Sequence, residues 1–131
     1  MATYPSLESA AMHDIPPSQA RVVTTCEWKD YGVVLLETND RAPFEAYLVV
    51  CSRTRGGWKV LSGANMSTWT PLLPETETGV FAYWEEGLAG ESVRIRYREA
   101  ETEVPIIDGY FLFCAWDVPI EALGEEPQLI Q

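Results

Sequence analysis

Apolar and polar positions in this chain alternate with a period of two, or fuse into short runs, and hardly anywhere follow the helical period of 3.6. Arg21–Trp28 is rich in β-branched residues, with Val22, Cys26 and Trp28 on one side. Val33–Thr38 is apolar on both faces until Glu37, and Phe44–Cys51 places Phe44, Ala46, Leu48 and Val50 on a common side. Trp58–Leu61, Val80–Trp84, Ser92–Arg98 and Thr102–Ile107 follow, each bounded by turn-forming residues. Such runs of four to eight residues between Gly, Pro, Asn and Asp clusters read as β-strands. Ser92–Arg98 alternates most cleanly, with Val93, Ile95 and Tyr97 inward and Arg94, Arg96 and Arg98 outward.

The strongest signal is Asp108–Trp116 (D-G-Y-F-L-F-C-A-W). A D-G pair is a two-residue hairpin turn, and the apolar run after it wants cover on both faces. We therefore expect a strand at the centre of the core. The only helical signal is Ser6–Met12, with Pro5 or Ser6 near its start and Pro16-Pro17 as a stop. So short a helix holds only if Leu7, Ala10 and Ala11 dock on the body. Gly63–Thr78 breaks the strand rhythm with two prolines, yet Met66, Trp69, Leu72 and Leu73 are too apolar for a free linker. It reads as an ordered crossover.

These elements predict an all-β fold: a two-sheet antiparallel β-sandwich, Ig-like in shape, of about eight strands with a short N-terminal helical turn. A small closed β-barrel is the alternative. Residues 1–19 form an N-terminal arm, 20–119 a single β-domain and 120–131 an acidic C-terminal tail.

Composition narrows the function more than it names it. With 20 acidic residues against 9 basic ones, the net charge is −11. This argues against nucleic acid and against an anionic membrane, both of which are gripped by Lys and Arg. It suits a basic protein partner. The first residues show no basic-then-apolar leader pattern, and the three cysteines (Cys26, Cys51 and Cys114) are odd in number and sit in apolar strands. Reduced, buried thiols and a cytoplasmic location are expected.

No catalytic constellation is legible. His13 is the single histidine, and the cysteines lack zinc-ligand spacing. Asn39-Asp40 opens no D-x-D-x-D-G loop, and nucleotide and nucleophile-elbow motifs are absent from the sequence. Neither metal nor cofactor is predicted. Two features stand out as binding candidates. The first is the crossover group Trp69, Leu72 and Leu73, where a Trp could anchor a partner or plug a sheet edge. The second is the row Arg94, Arg96 and Arg98, suited to a carboxylate or phosphate unless Glu101 and Glu103 neutralise it from the next strand.

The segment Arg53–Ser62 (R-T-R-G-G-W-K-V-L-S) is similar to a hairpin of the NTF2-like α+β proteins. That family carries long helices before its sheet. Only one short helix is predicted here, so no family residue is carried over. The function expected is a non-enzymatic interaction module, an accessory subunit or an inhibitor of a basic partner. The alternative is a small-molecule-binding protein or enzyme with an aromatic-lined pocket inside the β-structure.

Overall fold

The computed structural model of the chain describes residues 2–38, 46–73, 78–86 and 89–130. The Asn39-Asp40 loop, Phe44 and the acids Glu75 and Glu77 lie outside the described residues. The class is all-β: every strand pairing is antiparallel, and the sheets are not closed into a barrel. The chain divides into two compact units, Met1–Met66 and Ser67–Gln131.

The first unit is a meander. Strands β1 (Ala20–Trp28), β2 (Tyr31–Thr38), β3 (Ala46–Thr54) and β4 (Gly57–Ala64) lie side by side in chain order. Both outer strands carry a register shift, β1 between Val22 and Thr24 and β4 opposite Val50 and Cys51. Bulges at outer strands twist a sheet edge away from unwanted pairing.

Helix α1 (Leu7–Ala11) is short but well closed. Ser6 and Ser9 cap each other reciprocally, and Leu7, Ala10 and Ala11 are all buried. They pack with Val34, Leu36, Val49, Cys51 and Trp58. Docking, not propensity, holds a five-residue helix. Ahead of it, Tyr4 exchanges two backbone hydrogen bonds with Trp58, at 2.8 and 2.7 Å, and so ties the N-terminal arm to β4.

The second unit is a small sandwich. One sheet has β7 (Thr78–Glu86) at its centre, flanked on one side by β10 (Tyr110–Val118). On its other side lie two short strands, β5 (Thr68–Trp69) and β6 (Leu72–Leu73). The second sheet has β8 (Ser92–Tyr97) between β9 (Ala100–Pro105) and β11 (Gln128–Ile130). Phe81, Phe111 and Phe113 from the first sheet meet Val93, Ile95, Tyr97 and Val104 from the second. The aromatic rings pack edge-on, Phe81 with Tyr97 at 4.5 Å between centroids and Tyr83 with Phe111 at 5.1 Å. Offset and edge-on pairs are the favoured geometry for aromatic quadrupoles.

Three expectations need correction. β10 is covered on both faces, with Tyr110 and Leu112 on one and Phe111 and Phe113 on the other. Yet β7, not β10, is the central strand of that sheet. Two-sided burial requires cover above and below, not pairing on both edges. Second, Asp108 and Gly109 both have positive φ, and Ile107 and Tyr110 exchange hydrogen bonds as a two-residue hairpin turn demands. The hairpin is abandoned after that single bridge, because β9 and β10 diverge into different sheets. Third, residues 120–130, expected as a tail outside the β-domain, contribute to the second unit. They form a 3-10 turn (Ile120–Ala122) and β11, anchored by Ala122, Leu123 and Leu129 on the aromatic core.

No disulfide joins the three cysteines, as expected, but only Cys51 is fully buried; Cys26 and Cys114 are half-buried. Burial pushes the Cys51 thiol from 9.0 up to about 12. Native protein should therefore leave Cys51 unlabelled by a thiol reagent at pH 8, with modification only on unfolding. A raised folded pKa contributes stability below the unfolded value and loses it above. The Cys51 contribution should decline as pH rises from 9 towards 12, and Cys51→Ala should flatten that decline. Rapid native labelling of Cys51, read by mass analysis, would contradict its placement.

Candidate functional site

The outward arginine row is engaged by acids. β8 and β9 set Arg96 opposite Glu101 and Arg94 opposite Glu103. Glu101 draws both cations, with Arg96 Nη2 at 3.1 Å and Arg94 Nε at 4.0 Å, while Glu103 accepts a hydrogen bond from Ser92 Oγ at 2.7 Å. An incoming anion would have to displace Glu101. Such exposed pairs contribute at most about 1 kcal/mol each. Arg98 is not in the row at all. With Glu99 it forms the β8–β9 turn, both residues at positive φ, and its Nε lies 3.8 Å from Glu125 Oε2.

The crossover residues separate as well. Trp69, opposite Ala82 on β5, is half-buried. Leu72 is 56% exposed, whereas Leu73 is 1% exposed and offers no surface to a ligand. Consecutive residues of a strand point to opposite faces, so one of a Leu-Leu pair is spent on the core.

Among the described residues, two open clefts lie in the second unit, one lined by Arg98 and the other by Glu125. The larger, about 430 Å³, runs from the β8–β9 turn to the end of β10 and is lined by Tyr97, Arg98, Thr102, Phe113, Cys114 and Trp116 among others. The smaller, about 320 Å³, lies between β5 and the segment before β11. Thr68 and Thr70 form one wall, half-buried Tyr83 the floor with the buried Phe81 beneath it, and Leu123–Pro127, with Glu125 and Glu126, the rim.

The chemistry of the smaller cleft is set by β7. Phe81, Tyr83 and Glu85 are two residues apart and share a face. The Tyr83 hydroxyl donates to Glu85 Oε2, so the phenol has a fixed direction. Burial raises its pKa well above the ordinary tyrosine value, and the Glu85 carboxylate adds to that rise. Deprotonation is closed to it at neutral pH, and it serves as donor and aromatic wall. Tyr97 is shifted upward too, by burial and by Glu125, with Arg98 opposing. Glu125 and Glu126 are exposed, and among the described residues the lining includes no Lys or Arg.

Sequence reading passed over this site. Its signal was the same-face series Phe81-Tyr83-Glu85. The contribution of Glu125 and Glu126 depends on a three-residue strand bringing the C-terminal segment back.

Among the described residues, the buried side chains are all apolar, and no group of three or more His, Cys, Asp or Glu converges as for a metal. His13 is exposed, with its Nδ1 2.9 Å from the Ala10 carbonyl. No described helix is long and apolar enough to cross a membrane. Comparison with family models, curated proteins and solved structures found no match.

Proposed function

We propose that the chain is a non-enzymatic interaction module that recognises a basic protein partner. The observation that carries this reading is the acidic, aromatic-floored cleft on a chain of net charge −11. Its carboxylates sit at the solvent boundary, where they steer a cationic surface without the cost of burying a charge. The core rings pack edge-on against one another, so the two clefts they reach are open at the surface and not enclosed between the sheets. That packing favours recognition at the surface over confinement of a small molecule inside.

Affinity capture with the purified chain from extracts of its native host tests the reading. The bound protein should be basic, and its retention should fall steeply between about 50 and 500 mM salt, as the screening length drops several-fold. Retention of a neutral or acidic protein that resists high salt would overturn the proposal.

A further inference from the structure

We infer that the smaller cleft receives an arginine side chain of that partner, an inference that rests on the reading above and assigns it a site. The lining argues for a cation. Glu125 and Glu126 form the rim, and the Thr68 and Thr70 hydroxyls can accept hydrogen bonds; Glu85 is outside the lining, where it accepts from the Tyr83 hydroxyl. Arg98 lies 3.8 Å from Glu125 at a loose, exposed contact that a better-placed guanidinium can replace.

The aromatic floor argues for a guanidinium over an ammonium or a metal ion. Half-buried Tyr83 lines the cleft with ring carbon, on which a planar, weakly hydrated guanidinium stacks while its fork reaches carboxylates; Phe81, 2% exposed, offers no stacking face. A strongly hydrated ammonium gains less from such a wall. A divalent metal needs several converging oxygen ligands, and no such group is present among the described residues. Size argues for a tethered side chain. At about 320 Å³ the cleft is at the small end of ligand sites, which run from roughly 300 to 1,000 Å³. Being open, it buries one side chain well and a free molecule poorly.

The test uses the full chain and a Gly-Ser peptide bearing one arginine, with lysine and citrulline versions, followed by amide NMR. The arginine peptide should shift the amides of Thr68, Thr70, Tyr83 and Gly124. The lysine version should bind several-fold more weakly, and the neutral citrulline version should leave these amides unmoved. Glu125→Gln/Glu126→Gln should weaken arginine binding about tenfold, the sum of two exposed charge contacts. Glu27→Gln/Glu91→Gln, with the same change in net charge, should alter it less than about twofold. Both pairs are exposed, so folding is unaffected.

Equal weakening by the two double variants would reduce the effect to net charge and overturn the inference. So would shifts centred elsewhere, or a tighter response of the same amides to magnesium or calcium alone. A captured basic partner that binds Glu125→Gln/Glu126→Gln as tightly as the parent would remove the cleft from recognition and leave the interaction reading standing. Failure to retain any basic protein would remove the reading itself.

Discussion

Phe111→Ala is expected to cost about 3–5 kcal/mol in denaturant melts, the range for a large aromatic removed from a packed core. Phe111 is 0% exposed, lies edge-on to Tyr83, and belongs to the cluster that holds the two sheets of the second unit together. The neighbouring residues cannot collapse into the space, because Phe81, Tyr97 and Phe113 are fixed by contacts with one another. A domain stability of about 5–15 kcal/mol leaves such a variant barely folded. Phe113→Ala should fall in the same range towards its lower end, since Phe113 is 7% exposed. A loss under about 1 kcal/mol for Phe111→Ala, typical of a surface change, would show that the aromatic cluster does not join the sheets.

How much of this was legible depends on whether a feature is written locally. The strands of the first meander were readable because each is a period-two pattern or, as in β2, a short apolar run between turn residues, and α1 because its apolar residues lie between a serine cap and a proline stop. The Asp108-Gly109 turn was readable because that pair tolerates positive φ. The β8–β9 turn was legible only to within one residue, as a turn near Glu99-Ala100: at Arg98-Glu99 the same backbone state is imposed on two residues that do not favour it, by the tight pairing of β8 with β9. Arg98 was therefore assigned to a strand face it does not occupy. β11 was invisible for a different reason. Three residues carry no periodicity, and the strand exists because Leu129 finds the aromatic core and β8 offers an edge. The candidate cleft inherits that invisibility, since Glu125 and Glu126 reach Tyr83 only through the returning segment.

Gly57→Ala is the second large effect, expected at about 2–5 kcal/mol from two separable causes. Gly57 has φ +127, a conformation costing a side-chain-bearing residue about 1–3 kcal/mol. An added Cβ would also collide with the Tyr4 carbonyl oxygen, which is backbone and already accepts from Trp58 N. Relieving that clash means lifting Tyr4 from β4, and overpacking of this kind costs roughly another 1–3 kcal/mol. The two causes part when residues 2–4 are deleted. In that shortened chain the alanine should cost only the backbone part, because nothing is left to collide with. The difference between the two costs, taken from urea melts as a double-mutant cycle, measures the clash. Equal costs with and without the arm would mean that Tyr4 does not press on Gly57. A cost below about 0.5 kcal/mol in the full chain would mean that neither the φ nor the contact is as described.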